Sequence, residues 1–438
     1  MTTLSVRSQE LHARARELVP GGVHSNSRRR STVPLYVERA SGAYLWDVDG
    51  VRYLDCTMGN GSIVLGHGYP RVTDAVRRAL ESGVTAGYET ALAVEVVELL
   101  AELVPGFGQV RFANTGTEAM MHALHIARAA TGRERVAKAE GAYHGWADPL
   151  WVSCWPRPED IGAPDAPAAA PGSRGLSRHS AETMVLPFND LGATETLLRS
   201  AAPDLAAVVV EPVLIDVGFV PADREYLEGL RRLTEELGIV LVFDELLTGF
   251  RIAPGGAREL YGIAPDLTTY GKAIANGYPL AAVEGRPELM QLTEPGGSGG
   301  VGYVGTFNGH AIALAAARAS LVELRDGVVQ RRLELLTNRL RSRFEELARR
   351  HGVAAQLAGG GGHFQPYFVG RPVRNYRDAL AASARHYETL RSTLASRQIL
   401  VADGPLLHCA LSAAHTEDDV DRLVSAAEGA FVEIARSC

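Results

Sequence analysis

The chain has 438 residues, 46% of them hydrophobic and 22% charged, which is typical of a globular protein and argues against a disordered or fibrous one. Its 44 basic and 51 acidic residues give a formal net charge of −7, so the charge does not indicate a nucleic acid or an anionic membrane as partner. The four cysteines form no CxxC pair, the N-terminus lacks a signal-peptide pattern and no run approaches about 18 apolar residues, so we expect a cytoplasmic protein without a membrane span.

Apolar residues at helical spacing predict a first helix, which ends at Pro20-Gly21-Gly22. Two short strands, 43–47 and 51–55, flank Asp49-Gly50, a strong hairpin signal. Residues 156–175 are rich in proline and are predicted to form a long loop or lid. Between about residues 70 and 310, helices alternate with apolar strands, which are predicted at 110–113, 136–139, 207–210 and 239–243. The last two are nearly continuous apolar runs, typical of parallel strands buried on both faces.

Two formal motif matches fail on context. Residues 296–300 match GxSxG, but no strand leads into this glycine-rich loop, so a serine hydrolase is not indicated. His122 and His125 lie three residues apart on a predicted helix, but no acidic third ligand is nearby. We therefore predict no metal site.

Lysine is almost absent from this chain. Of the 44 basic residues, 42 are arginine and only Lys138 and Lys272 are lysine. An arginine guanidinium stays protonated and cannot form an imine, so each lysine is a candidate for amine chemistry. Lys272 follows Gly271 directly after a predicted strand. An ordinary surface lysine is the alternative.

A turn of small and hydroxyl residues, Asn114-Thr115-Gly116-Thr117-Glu118, lies between a predicted strand and a predicted helix. Such a turn exposes backbone N–H groups at the positive end of the helix, which favours phosphate binding. An ordinary helix N-cap is an equally good interpretation.

Asp244-Glu245 follows the buried apolar strand 239–243. A carboxylate at this end of a parallel strand points into the crevice where α/β sheets bind ligands, and its burial requires a cationic partner. Asp244 could instead cap the next element.

Tyr143-His144-Gly145 follows the predicted strand 136–139, and Tyr143 could stack on a heteroaromatic ring or be a core residue.

A phosphate cradle, a buried carboxylate, an imine-forming lysine and a stacking aromatic residue together meet the requirements of pyridoxal 5′-phosphate (PLP). A carboxylate keeps the pyridine nitrogen protonated, so that the ring can accept electrons from a substrate carbanion.

The order of these motifs resembles the class III PLP-dependent aminotransferases and, within that class, is most similar to glutamate-1-semialdehyde 2,1-aminomutase. Further matching motifs lie near both chain ends and after the lysine. They are Gly21-Gly22-Val23-His24-Ser25, Leu65-Gly66-His67-Gly68, Glu211-Pro212-Val213, Gly305-Thr306-Phe307-Asn308-Gly309 and Ala414-His415-Thr416-Glu417-Asp418. The resemblance therefore covers nearly the whole chain.

The resemblance implies an α/β protein of the PLP-dependent transferase fold type I. A large PLP-binding domain, residues 70–320, would contain a mostly parallel sheet of the seven-stranded type. A smaller α+β domain would combine residues 1–69 with residues 321–438.

The resemblance also implies roles for individual residues. Lys272 would bind the cofactor covalently, Asp244 would pair with its pyridinium, and both would be catalytic. The other implied cofactor-binding positions are Thr115, Gly116, Thr117, Tyr143, Asp216 and Thr306. Thr306 would reach the phosphate from the other subunit, which implies a homodimer with shared active sites. Arg28 would take the substrate carboxylate.

Three positions depart from the pattern of the aminomutase. Leu407 stands in the place of a glutamate, Asn60 in the place of a tryptophan, and Asp216 in the place of an asparagine that would bond the cofactor's phenolic oxygen. We place Asn60 among the substrate-binding residues. Because substrate-facing positions have changed while cofactor-facing ones mostly remain, we expect the same cofactor and a different substrate.

We therefore predict a PLP-dependent aminotransferase that moves an amino group from an amino acid donor to an aldehyde or ketone acceptor, such as an amino-sugar or antibiotic precursor. Two alternatives stay open. One is an aminomutase, which keeps the nitrogen within one carbon skeleton, and the other is a PLP epimerase, dehydratase or decarboxylase on the same scaffold.

Overall fold

The computed structural model describes residues 6–28, 34–84 and 86–437. Within these ranges the α-helices are α1 Val6–Leu18, α2 Pro70–Glu81, α3 Ala91–Leu103, α4 Gly116–Thr131, α5 Leu191–Ala201, α6 Arg224–Leu237, α7 Gly256–Tyr261, α8 Pro287–Met290, α9 Ala311–Leu324, α10 Val328–His351, α11 Tyr376–Leu380, α12 Ala384–Ser396 and α13 Glu417–Ser437. The strands are β1 Val37–Ser41, β2 Tyr44–Asp47, β3 Arg52–Asp55, β4 Gln109–Ala113, β5 Arg135–Ala139, β6 Gly162–Ala163, β7 Ala166–Pro167, β8 Met184–Leu186, β9 Leu205–Val210, β10 Val213–Leu214, β11 Val220–Pro221, β12 Val240–Glu245, β13 Leu267–Tyr270, β14 Ala281–Gly285, β15 Gln356–Gly360, β16 His363–Tyr367, β17 Ile399–Leu400 and β18 Cys409–Ala410.

Seven strands form the central sheet, in the order β4-β14-β13-β12-β9-β5-β8. Strands β13, β12, β9, β5 and β8 run parallel to one another, whereas β14 is antiparallel to both of its neighbours. The predicted α/β class with a mostly parallel seven-stranded sheet is confirmed.

Alternate residues of the central strands face opposite sides of the sheet. Val240 and Val242 of β12 belong to an apolar cluster with α4, whereas Leu241 and Phe243 belong to another with α6. Helices therefore cover both faces, which explains why β9 is apolar throughout and β12 is apolar as far as Phe243.

Strands from both ends of the chain pair with one another. β17 runs parallel to β3, which joins it to the β1-β2-β3 sheet. A second small sheet, β15-β16-β18, packs through β15 on α10, and α10 also packs on α13. The predicted hairpin is present, because β2 pairs antiparallel with β3 and Gly50 adopts φ +81° in the turn. The domain boundaries at residues 69 and 320 stay a prediction.

The proline-rich segment 156–175 contains a short hairpin of β6 and β7. The Arg377 guanidinium donates hydrogen bonds to the carbonyls of Ile161 and Ala163, at 2.8 and 3.0 Å, and pairs with Glu140 at 2.8 Å. These contacts attach the segment to the rest of the fold, and its role as a lid stays a prediction.

Across residues 6–28, 34–84 and 86–437, no helix is both long and apolar enough to cross a membrane. The same ranges contain no group of three histidine, cysteine or acidic side chains that could hold a metal ion. Of the two histidines of α4, His122 stacks on Tyr303, with ring centroids 3.7 Å apart.

Candidate active site

A cavity of about 900 Å³ lies where residues that follow β4, β5, β12 and β13 converge. This is the carboxyl edge of the parallel strands, where α/β sheets bind ligands. The predicted site residues that line it are Asn60, Thr115, Gly116, Thr117, Tyr143, Asp216 and Lys272. Residues far apart in the sequence are therefore brought to one cavity.

Helix α4 begins at the wall of this cavity. Thr115 is its N-cap, because the Thr115 hydroxyl accepts from the backbone N–H of Glu118 while the Glu118 carboxylate accepts from that of Thr115, each at 3.2 Å. At Gly116 a side chain would clash, since a Cβ there would lie 2.5 Å from Leu246 Cδ1. Capping and anion binding are compatible, because the helix N-terminus still directs its positive end to the cavity.

Asp244 is buried near the end of β12 and is held by two donors. Its Oδ2 lies 2.8 Å from Nδ1 of His144, and its Oδ1 accepts from the backbone N–H of Leu246 at 3.1 Å. Burial lowers the pKa of His144, although Asp244 opposes this effect. A neutral His144 with its proton on Nδ1 therefore donates to Asp244.

Lys272 begins a short 3-10 helix, Lys272–Ala275, directly after β13. Its backbone has φ +48°, a left-handed conformation that is rare for a residue with a side chain. Such strain is typical of functional positions. Of the two lysines, Lys272 is the one that lines the cavity.

Lys138 has a different environment. It is buried within β5, and its Nζ donates to the carbonyls of Ala142 and Val152 at 2.6 Å each and to that of Leu150 at 3.3 Å. Burial lowers its pKa. Lys138 therefore fixes the loop that carries Tyr143 and His144, and its amine contacts the protein interior.

Tyr143 lines the cavity, but one face of its ring is already covered. It stacks on Trp155 with centroids 5.4 Å apart and an interplanar angle of 15°. Burial raises the pKa of the Tyr143 hydroxyl to about 12, so the side chain is neutral. The opposite face of the ring is the one that could stack on a cofactor.

Asp216 lies between β10 and β11 and faces His408, which precedes β18. Oδ1 of Asp216 is 3.0 Å from Nδ1 of His408. Both residues line the cavity together with Leu407 and Asn60, the other positions that depart from the family pattern.

Three predicted residues are not among those that line this cavity, and one of them is the buried Asp244 described above. Arg28 is exposed at the end of a short 3-10 helix, and the preceding Ser25, Asn26 and Ser27 are the residues of this segment that line the cavity. Thr306 lines a second cavity, with Gly305 and Asn308. The predicted roles of Arg28 and Thr306 stay predictions, and Thr306 and Lys272 line different cavities of one chain.

Three contacts of the site lie beyond the predictions from the sequence. His144 belongs to the Tyr143-His144-Gly145 motif without a predicted role, and neither Trp155 nor His408 is a predicted site residue. For His144, and for His408 beside Leu407, the signal in the sequence is proximity to a matching motif or position. For Trp155 the sequence provides no signal.

The class-III aminotransferase family model matches residues 25–380 of this chain. The chain belongs to that family. The glutamate-1-semialdehyde 2,1-aminomutase of Chloroflexus aurantiacus is 38% identical over 440 residues, covering 98% of each protein. The protein of the same name from Methanothermobacter thermautotrophicus is 39% identical over 97% of this chain and 98% of its own length.

Solved structures agree with this class III membership. An omega-transaminase from Sphaerobacter thermophilus superposes with a TM-score of 0.92 at 35% identity, covering 98% of both chains. A glutamate-1-semialdehyde aminomutase from Pseudomonas aeruginosa superposes with a TM-score of 0.88 at 26% identity, covering 98% of this chain and 95% of its own. The predicted fold type I, the enzyme class and the PLP cofactor are confirmed.

Proposed function

We propose that this enzyme is an aminotransferase that takes an amino group from an amino acid donor and transfers it to an aldehyde or ketone. The observation that carries this proposal is the contrast within one cavity. Lys272, Tyr143 and the turn 115–117 are all present, while Leu407 supplies an apolar side chain where the aminomutase resemblance places a glutamate.

PLP, when bound, withdraws electrons from the substrate carbon that loses a proton. In this proposal the N-terminus of α4 holds the phosphate, the free face of Tyr143 supports the ring, and Asp244 keeps the pyridine nitrogen protonated. Gly116 fits this role because it lets the turn approach Leu246 closely. Lys272, once displaced from the cofactor, would move the proton between the substrate carbon and the cofactor, a task that needs the neutral amine.

A second candidate is a glutamate-1-semialdehyde 2,1-aminomutase. The observation that favours it is the name of relatives that are 38–39% identical over nearly the whole chain. Such an enzyme would move the amino group between two carbons of one substrate and would need no separate donor.

Stoichiometry separates the two candidates. The holoenzyme is mixed with an excess of an amino acid donor and no acceptor, and the keto acid is counted. We expect about one equivalent of keto acid per active site, and continuous release once an aldehyde acceptor is added. Conversion of glutamate-1-semialdehyde alone, without release of a keto acid from any donor, would instead establish the aminomutase.

We also propose that the enzyme is a homodimer in which Thr306 completes the site of the other subunit. Thr306 and Lys272 line different cavities of one chain, which supports this arrangement. Co-expression of Lys272→Ala and Thr306→Val chains tests it. A mixed dimer would contain one intact site and recover activity that neither variant has alone, whereas no recovery would place Thr306 outside the partner's site.

A further inference from the structure

Residues 58–61 form a left-handed turn beside the cavity. The backbone φ angles are +43° at Met58, +61° at Gly59, +54° at Asn60 and +77° at Gly61. Left-handed residues usually occur singly, because the conformation is unfavourable for a residue with a side chain. A run of such residues persists only where the surrounding structure determines it, and backbone strain of this kind is concentrated at functional sites.

The turn presents one side chain to the cavity. Of its four residues, Asn60 is the one that lines the cavity, and Asn60 is exposed, whereas Met58 is fully buried. Glycine and asparagine adopt left-handed backbone at the lowest cost, so the composition of the turn suits its conformation. The turn therefore places an amide at the wall that we assign to the substrate.

Hydrogen bonds hold both ends of the turn. At its start, Oδ1 of Asp55 accepts from the backbone N–H groups of Thr57 and Met58, at 2.8 and 3.1 Å. At its end, the Gly61 carbonyl accepts from Nη2 of Arg251 at 2.8 Å. Because Arg251 is 190 residues away in the sequence, the end of the turn depends on a distant segment of the chain.

Arg251 is fully buried, and its hydrogen bonds within the described part of the chain go to carbonyls. Its Nη1 donates to the carbonyls of Gly361 and Leu411, at 3.2 and 3.1 Å. Burial lowers the pKa of the guanidinium to about 9, and no acidic neighbour among the described residues offsets that effect. A buried cation is costly unless its donors are satisfied, so these carbonyl contacts have to form together. Arg251 thus joins the turn to the β15–β16 connection and to the segment after β18.

The peptide that Arg251 holds is tightly packed at the cavity wall. A Cβ added at Gly61 would lie 2.5 Å from Cε1 of His363 and 3.2 Å from Nε2 of His408. Asn60, directly before Gly61, and His408 both line the cavity. A shift of the Gly61 peptide would therefore move Asn60 relative to the cavity.

We propose that Arg251 is a positioning residue for substrate binding, which fixes the left-handed turn 58–61 through the Gly61 carbonyl so that the Asn60 amide meets a polar group of the amino acid donor. An amide offers both a donor and an acceptor for such a contact. The inference rests on the proposed aminotransferase function. It adds to the site a residue that does not itself line the cavity.

Hydrogen–deuterium exchange of the holoenzyme tests the hold on the turn without any substrate. Arg251→Lys keeps the charge, but one ammonium cannot replace the two arms of a guanidinium. The backbone N–H groups of Gly61 and Ile63, which donate within the turn, should exchange about tenfold faster or more in this variant. Arg258→Lys is the matched control, because Arg258 is also buried but pairs with Glu284 and does not line the cavity.

The half-reaction with L-glutamate or L-alanine, followed through the cofactor absorbance, tests the effect on the substrate. Arg251→Lys and Asn60→Gly, which keeps the turn but removes the amide, should each raise KM about tenfold and change kcat less than about threefold. The double variant should resemble Asn60→Gly, because Arg251 acts through Asn60. Arg258→Lys should lower the melting temperature but leave KM within about twofold of the natural value.

Equal exchange rates in Arg251→Lys and Arg258→Lys would overturn the proposal, and so would KM effects that multiply in the double variant. If Arg251→Lys does not fold, a KM in Asn60→Gly within about twofold of the natural value overturns it, and a tenfold rise supports it. If neither donor is consumed, the proposed function fails. The inference is then decided by the exchange rates and by calorimetric titration of L-glutamate, where equal affinity of the natural protein and Asn60→Gly would contradict it.

Discussion

The two sides of the cavity differ in origin. The side proposed for the cofactor is built from the central sheet, where Asp244 lies near the end of β12 and Lys272 follows the neighbouring parallel strand β13. The side proposed for the substrate comes from segments near the chain ends, including Asn60, Leu407 and His408. The first side mostly keeps the pattern of the family, with Asp216 as the exception, and the second departs from it. The comparison teaches that a rigid sheet can keep the same cofactor site while changes in the surrounding segments alter which substrate is bound.

The largest effect is expected at Lys272. Lys272→Ala should lower turnover by about 10⁴-fold or more, because the general base and the covalent attachment are lost together. The change is measured as turnover and as the visible absorbance of the bound cofactor. Near-normal turnover would contradict the assignment.

Lys138→Met is the matched control for Lys272→Ala. It removes the lysine donor from the carbonyls of Ala142, Leu150 and Val152, so the melting temperature should fall. The folded fraction should nevertheless retain the covalently bound cofactor. Loss of the cofactor from Lys138→Met but not from Lys272→Ala would reverse the two roles.

Asp244→Asn should lower the rate on the order of 10²-fold, comparable to about 2.7 kcal/mol, because an amide cannot keep the pyridine nitrogen protonated. Asp244→Glu, which retains the charge, should lose less than the amide variant. Equal losses in the two variants, or none in Asp244→Asn, would show that another group protonates the ring.

Arg28 tests the substrate side, where a solvated basic loop is the alternative. If the guanidinium binds the donor carboxylate, Arg28→Ala should weaken the half-reaction with an α-amino acid by roughly 10- to 150-fold, or about 1.5–3 kcal/mol. An uncharged amine should lose much less. Arg14→Ala, on the exposed face of α1, is the control. Equal losses for both donors would leave Arg28 as a surface residue.

The smallest effect concerns His415, in the C-terminal segment. Burial lowers its pKa to about 4, and its Nδ1 accepts from the backbone N–H of Ser412 at 3.0 Å. The unfolded chain takes up this proton at about pH 6.5 and the folded chain only at about pH 4, so stability falls as the pH drops through this window.

Denaturant unfolding of the natural protein and His415→Asn tests this linkage. Between pH 6 and 5 the natural protein should lose roughly 1 kcal/mol through this group, and the asparagine variant, which retains an acceptor, should lose correspondingly less. Identical losses in the two proteins would locate the acid sensitivity elsewhere.

The sequence predicted the sheet and the family because both depend on local signals. Strands β9 and β12 are apolar on both faces, and the turn at 114–118 follows its strand directly. Lys272 stood out because lysine is otherwise almost absent.

The missing parts of the site are contacts between segments that are distant in sequence. His144 contacts Asp244, which is a hundred residues away in the sequence. His408 lies close to Asp216 because β17 and β18, which flank its segment, pair with β3 and β16. No local pattern encodes such partners. Lys138 shows the converse. The scarcity of lysine makes Lys138 and Lys272 equal candidates for amine chemistry, and it is the burial of Lys138 in the structure that distinguishes them.

The most direct test of the central assignment is a crystal structure of the holoenzyme after borohydride reduction, which makes the cofactor attachment permanent. We expect continuous density from Nζ of Lys272 to the cofactor, with the phosphate at the N-terminus of α4 and Asp244 at the pyridine nitrogen. Density joining the cofactor to Lys138, or a cofactor bound away from the cavity at Asp244, would contradict the account.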